Sequence, residues 1–193
     1  MNPTLSLPAC PEIIDVVVDM QNDFVSGALG TPEAAAIADA VAQAVRGALD
    51  AGHGVVFTRD THQPGYLATR EGRELPVPHC IEGTPGWELI PPLAELSARL
   101  GHAAELNKPT FGAIALPGFI RERFGQSLAA GALKKFRVYG VCTGICVISN
   151  AVVLRAAFPE VDIEVPAACC ACVTPDSHRT ALQAMKTLQF HIV

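Results

Sequence analysis

Three residues, Cys146, Asp19 and Lys108, have types and settings that could do chemistry. Cys146 stands in the stretch 136–158, FRVYGVCTGICVISNAVVLRAAF. There an apolar strand-like run ends at Gly140, a short turn holds Thr143 and Gly144, and Cys146 opens a helix-like run. A thiol at a helix N-terminus meets unpaired backbone N–H groups and the positive end of the helix dipole. Both favour thiolate, the reactive form of cysteine. Asp19 closes a second run, IIDVVVDMQNDF from Ile13 to Phe24, which reads as a buried parallel strand with a carboxylate at its C-terminal end. Asp15 interrupts that run and marks the strand's start or an edge. Lys108, in the segment NKPTFG from Asn107 to Gly112, follows the weakly apolar run 103–106. In open α/β sheets the ligand crevice lies at the carboxyl ends of the strands, so an acid, an amine and a thiol at three strand ends can converge. Together they could attack a carbonyl carbon. The sulfur is the nucleophile, Asp19 takes the thiol proton and returns it to the leaving group, and Lys108 holds Asp19. Backbone N–H groups of the turn would stabilise the oxyanion. The bland alternative is an Asp–Lys salt bridge beside an inert buried cysteine, which is what most free cysteines are.

The elements that must position these residues alternate along the chain. Strands are predicted at 13–19, 54–59, 103–106, 136–141 and 161–166, with a last one at 188–193. Helices are predicted at 32–51, 91–100, 115–125, 145–158 and 175–187. Thr31-Pro32-Glu33 and Thr174-Pro175-Asp176 are helix-start signals, a capping hydroxyl followed by proline at the first helical position. This alternation predicts an α/β fold, a three-layer α/β/α arrangement on a mainly parallel sheet of five or six strands. With 193 residues, half of them apolar, the chain is read as one domain over 1–193. Only 17% of residues are charged and the net charge is −5, which argues against nucleic acid or an anionic membrane as partner. No apolar stretch reaches the roughly 18–20 residues of a membrane span. MNPTLSLPACPE has no signal-peptide pattern, so the chain is expected to be cytoplasmic. Seven cysteines lack disulfide-framework spacing, and Cys169, Cys170 and Cys172 read as small buried residues rather than a zinc site. The segment 61–92 is rich in Gly, Pro and His without periodicity, and a loop of that length is usually functional.

VVVDMQNDF, KPTFG and GVCTGICV, in this order, resemble the isochorismatase-like cysteine hydrolase family, which includes nicotinamidases and N-carbamoyl amidohydrolases. The resemblance runs from about Ile13 to Phe190 and also covers TRDTHQPGY and LPVPHCIEGTPGWEL. It implies an isochorismatase-like hydrolase fold, an Asp19–Lys108–Cys146 triad and a cis Val141–Cys142 peptide. It further implies an oxyanion hole made by the backbone N–H groups of Cys142 and Cys146. The reaction implied is hydrolysis of a small amide through a thioester, with ammonia leaving.

The same resemblance places a divalent metal in the middle loop. Asp60 and His62, an Asp-x-His pair leaving a strand, and His79 match the family's ligands. The family's usual extra histidine after Asp-x-His is missing, and Glu71 is the replacement. Carboxylate and imidazole ligands suit zinc, with manganese or iron as alternatives. Phe24 and Phe111 are expected in the substrate pocket, and Trp87 in the core. Nicotinamidases often carry an aromatic where this chain has Leu75-Pro76-Val77-Pro78. The leading expectation is a nicotinamidase-like amidohydrolase that assembles as a homo-oligomer. An N-carbamoyl or ureido hydrolase with the same triad is the second reading, and a basic carboxylate-binding pocket would favour it. A non-enzymatic metal-binding or redox-sensing protein using Cys142 and Cys146 is the third. His178 and Asp176 are assigned to ordinary capping of the last helix, and His53, His102 and His191 to the surface.

Overall fold

Hydrophobic runs without alternation become strands covered on both faces. Val16, Val17 and Val18 of β1 (Ile13–Val18) are fully buried, as are Val55, Val56 and Phe57 of β2 (Gly54–Asp60). The computed structural model describes residues 5–193, so Met1–Thr4 of the N-terminal stretch lie outside it. The remaining strands are β3 (Glu105–Lys108), β4 (Lys135–Val141), β5 (Asp162–Val165), β6 (Cys170–Ala171) and β7 (His191–Ile192). Their order across the sheet is β3-β2-β1-β4-β5-β7, with β6 beside β4, and every pairing among them is parallel. The sheet thus has seven strands against the five or six expected. The extra one is β6, two residues long and too short to leave a hydrophobic pattern. β3 also starts later than expected, because Ala103 and Ala104 belong to the turn after Leu100, and Lys108 is the strand's last residue.

Among the described residues seven α-helices connect the strands: α1 (Asn22–Val25), α2 (Pro32–Asp50), α3 (Arg70–Glu74), α4 (Pro91–Arg99), α5 (Leu116–Ala129), α6 (Ile148–Ala157) and α7 (Pro175–Thr187). The capping signals work as read: Thr31 Oγ1 accepts from Ala34 N at 3.1 Å, and Thr174 and Ser177 cap each other's backbone N–H. From β1 the chain steps outward to β2 and β3, then crosses back to β4 and steps the other way. Right-handed crossovers in opposite directions put α2 and α4 on one face of the sheet and α5 and α6 on the other, and α2 packs with α4 as α5 does with α6. The result is the three-layer arrangement. The direction reverses between β1 and β4, which is where an open α/β sheet forms its ligand crevice.

Asp15 corrects one expectation. It lies neither at the start nor at an edge but inside β1, fully buried at the centre of the sheet. His53 Nδ1 is 2.7 Å from its Oδ2, and Arg137 Nη1 on the adjacent strand is 3.1 Å from its Oδ1. Burial pushes its carboxyl above the ordinary value, and these two partners offset only part of that. Gly140, at the end of β4, has φ 127°, and a Cβ there would lie 2.1 Å from the carbonyl oxygen of Val18. Only glycine lets β4 approach β1 that closely before the chain turns. Among the described residues no helix is long and apolar enough to cross a membrane.

Candidate active site

The carboxyl ends of four neighbouring strands carry Asp19, Asp60, Lys108 and Cys146, and these side chains converge. Asp19 follows β1 with φ 52°, a left-handed conformation uncommon outside glycine, asparagine and aspartate. Its Oδ1 accepts a hydrogen bond from Thr58 Oγ1 at 2.6 Å, a partner on β2 that sequence reasoning missed. Lys108 Nζ stands 2.7 Å from Asp19 Oδ2, 3.6 Å from Cys146 Sγ and 3.4 Å from Asp60 Oδ1. Lys108 thus bridges the acid, the thiol and Asp60.

Cys146 corrects a second expectation. The thiol does not open an α-helix. It sits in a π-helical turn, Thr143–Val147, that feeds into α6. Its pKa is pushed well above the ordinary value, first by burial and then by the negative charge of Asp19, with Lys108 opposing. The site therefore rests as a thiol rather than a thiolate. Asp19 is raised too, by burial, with the Lys108 charge opposing and Asp60 adding to the rise. Lys108 is held protonated, because the surrounding negative charges outweigh the effect of its burial. The Val141–Cys142 peptide before the turn is cis, as the resemblance implied. In the turn the N–H groups of Ile145 and Val147 both donate to the Cys142 carbonyl oxygen, at 3.0 and 3.1 Å. The N–H groups of Cys142 and Cys146 stand outside that pairing.

The polar residues after Asp19 fix the rest of the site. Gln21, fully buried, donates through Nε2 to the carbonyls of Asp60 and Trp87 and accepts from Asp60 N, at 2.8, 2.7 and 2.7 Å. Asp23 Oδ2 accepts from Cys80 N at 2.7 Å, and Asn22 Nδ2 donates to the Pro85 carbonyl at 2.8 Å. The Gln-Asn-Asp of the first motif thus ties down the long middle loop, a role invisible locally because its partners lie far along the chain. Trp87, expected in the core, is half-buried. Arg59 lies 3.8 Å above its ring, and its Nε1 donates to Thr61 Oγ1.

Asp60, His62, Glu71 and His79 come together as expected, with one ligand atom of each within 4.8 Å of the others. His62 Nε2 and His79 Nε2 lie 3.0 and 3.4 Å from Asp60 Oδ2, and 3.7 and 3.9 Å from Glu71 Oε1. Ligands of a tetrahedral zinc, each about 2.1 Å from the metal, stand roughly 3.4 Å apart. Four converging N and O donors at this spacing fit a divalent cation. His79 Nδ1 faces the Val77 carbonyl at 2.8 Å, a bond that leaves Nε2 as the acceptor nitrogen. Burial raises the Asp60 carboxyl, but His62, His79 and Lys108 outweigh it and hold the group well below the ordinary range. Glu71 reaches the cluster from α3, whose N-terminus Thr69 caps by accepting from Gly72 N at 3.0 Å. Tyr66 packs its ring against both histidines, at 4.6 and 4.9 Å between centroids.

A cleft of about 590 Å³ opens beside the cluster, lined by His62, Tyr66 and Glu71 together with Thr61, Arg70 and Phe111. Phe111 is half-exposed at its wall, whereas Phe24 packs against His79, at 5.5 Å between ring centroids, and is not among the lining residues. All seven cysteines are free, and Cys169, Cys170 and Cys172 are buried.

A parallel α/β sheet with a buried thiol, acid and amine at its switch point defines an α/β protein with a cysteine-centred site. The chain belongs to the isochorismatase family, since residues 14–193 match the profile described as the Isochorismatase domain. It is 39% identical over 82 residues to the nicotinamidase/pyrazinamidase of Mycobacterium tuberculosis, a match covering 40% of this chain and 44% of that protein. The match thus spans less than half of that relative's length. The crystal structure of nicotinamidase/pyrazinamidase PncA from Bacillus subtilis superposes with a TM-score of 0.81 at 27% identity, covering 94% of this chain and 99% of that one. Pyrazinamidase of Pyrococcus horikoshii in complex with zinc gives a TM-score of 0.75 at 27% identity, covering 95% and 99%.

Proposed function

We propose that the protein is a cysteine amidohydrolase of the nicotinamidase type, which cleaves a small amide and releases ammonia. The observation that carries this reading is the buried Asp19 carboxylate, paired with Lys108 at 2.7 Å, in the same cluster as the Cys146 thiol 3.6 Å from that lysine. On attack the thiol proton passes to Asp19, and sulfur bonds to the amide carbon. The N–H groups of Cys142 and Cys146 receive the oxyanion. Asp19 then gives its proton to the departing nitrogen, which leaves as ammonia, and water cleaves the thioester to the acid and the free thiol. Lys108 stays protonated throughout and balances the charge of Asp19. Asp60, His62, Glu71 and His79 would hold a zinc ion or a similar divalent metal. Bound there, it would supply a Lewis-acidic anchor for a donor atom of the substrate. The likeness to a pyrazinamidase in complex with zinc supports zinc as the first candidate.

One observation favours a second substrate class, N-carbamoyl or ureido acids. Arg70 lines the cleft, and its side chain has no ion pair or hydrogen bond among the described residues, so it is free to take a carboxylate. Ammonia release across a panel of aromatic amides and ureido acids, for the wild type and Arg70→Ala, separates the two. Under the leading reading nicotinamide is hydrolysed fastest, and the substitution changes its kcat/KM less than about threefold. If a ureido acid is the better substrate and Arg70→Ala raises its KM tenfold or more, the second reading replaces the first.

The reading includes a homo-oligomer. Ile114 is 87% exposed, and half-exposed Phe111 lies three residues before it, an apolar surface of the kind that association covers. Light scattering at micromolar concentration is expected to give a multiple of the chain mass, and a monomer would count against it.

A further inference from the structure

We propose that His178 is a positioning residue, acting through Thr143 to hold the turn that presents the Cys142 and Cys146 N–H groups to the reacting carbonyl. The inference rests on the amidohydrolase reading and adds a residue to it. Thr143 lies between the two donors, in the π-helical turn, and its side chain is fully buried. Its Oγ1 meets His178 Nδ1 at 2.8 Å. His178 sits in the first turns of α7, which Thr174 and Ser177 cap reciprocally. α7 also abuts the turn sterically. A Cβ on Gly144 would stand 3.2 Å from Ala181 Cβ and 3.6 Å from Cys172 Sγ. The turn is thus packed on one side by α7 and held by two side-chain hydrogen bonds, from Asn150 Nδ2 to the Cys146 carbonyl at 2.8 Å and between Thr143 and the half-buried imidazole of His178, of which only the second acts next to Cys142. Burial and the adjacent Arg179 hold that imidazole below its ordinary pKa, so it is neutral near pH 7. Donor placement matters because an oxyanion hole works only where its N–H groups already sit within hydrogen-bonding distance of the developing charge. Losing the Thr143–His178 bond frees the turn to shift, which costs rate and not substrate binding.

The experiment compares wild type, His178→Leu, His178→Asn and Thr143→Val on whichever amide of the panel the wild type hydrolyses best. Leucine keeps bulk but no polar atom, while asparagine puts a hydrogen-bonding atom near the Nδ1 position. His178→Leu is expected to lower kcat roughly tenfold to a hundredfold with KM within about threefold. His178→Asn should recover most of the loss. The Thr143→Val, His178→Leu double variant should be no slower than the worse single one, since both remove one bond. A role in stability alone would lower the thermal midpoint without this kcat-against-KM split and without rescue by asparagine. If Cys146→Ala is inactive and the wild type active, yet His178→Leu keeps half or more of wild-type kcat, the inference is overturned and the amidohydrolase reading stands. A wild type that releases no ammonia from any compound, or an active Cys146→Ala, removes both.

Discussion

Cys146→Ala is expected to lose essentially all ammonia release, a fall of about 10⁴ or more in kcat. Asp19→Asn should fall almost as far. The two losses are not additive, because an acid without a nucleophile and a nucleophile without its base fail at the same step. Removing the sulfur deletes one atom from a site that is 5% exposed, so the fold should survive and the thermal midpoint should move by only a few degrees. The size of the effect is electrostatic in origin. Burial and Asp19 raise the thiol, so the resting site holds S–H and Asp19 must remove the proton as attack proceeds. Lys108, 3.6 Å from the sulfur and 2.7 Å from Asp19, then stabilises whichever of the two carries the negative charge. Steady-state ammonia assays on purified variants check this. Turnover by Cys146→Ala above about 1% of wild type would refute the thioester route.

The sheet was readable in the sequence where it is most buried. β1, β2 and β4 are parallel strands covered on both faces, so each leaves a mainly apolar run, broken once in β1 by Asp15 and once in β4 by Arg137. Asp19 and Cys146 could be placed at strand ends because each comes soon after such a run, whereas Lys108 follows only a weakly apolar one and is itself the last residue of β3. β6 was not readable, because two residues carry no period. The direction of the thiol's pKa shift is not readable locally, for a physical reason. A helix N-terminus lowers a thiol's pKa, but full burial beside a carboxylate raises it, and burial is a property of the folded chain that no local pattern encodes. Asp15 was misplaced on the same ground, since its partners His53 and Arg137 lie 38 and 122 residues away. Gln21, Thr58 and the Thr143–His178 pair were missed likewise, although each supports a residue that the motifs did identify. The four metal donors fared better. Asp60 and His62 are two residues apart leaving a strand and so share a face, and Oδ2 and Nε2 indeed meet at 3.0 Å.

That donor set leads to the second large effect. The purified protein is expected to carry close to one equivalent of a divalent metal, zinc first, as measured by elemental analysis. Stripping it with a chelator, or substituting His62→Ala or His79→Ala, should raise KM by tenfold or more while kcat at saturation falls less. Under the proposed mechanism the nucleophile, its base and the balancing amine all come from the chain, so attack on a correctly held amide needs no metal-activated water. The donor cluster lies one strand over and meets the 590 Å³ cleft through His62 and Glu71, where a bound metal could grip the end of the substrate remote from the scissile bond. Its loss therefore removes uniform binding, which appears in KM. Three observations suit these residues to the task. They are the mutual spacing of the donors, the Val77 carbonyl that fixes the ring of His79, and Tyr66, which packs both imidazoles in place. Asp60 joins the two halves of the site, with Oδ2 toward the histidines and Oδ1 3.4 Å from Lys108. Asp60→Asn should accordingly be the one cluster variant that damages kcat as well as KM, because it also alters the charge felt by Lys108 and Asp19. Metal content well below one equivalent, with chelator-treated enzyme fully active at low substrate, would leave the four residues as a hydrogen-bonded loop clasp. Equal damage to kcat and KM by every cluster variant would instead give the metal a part in the chemical step.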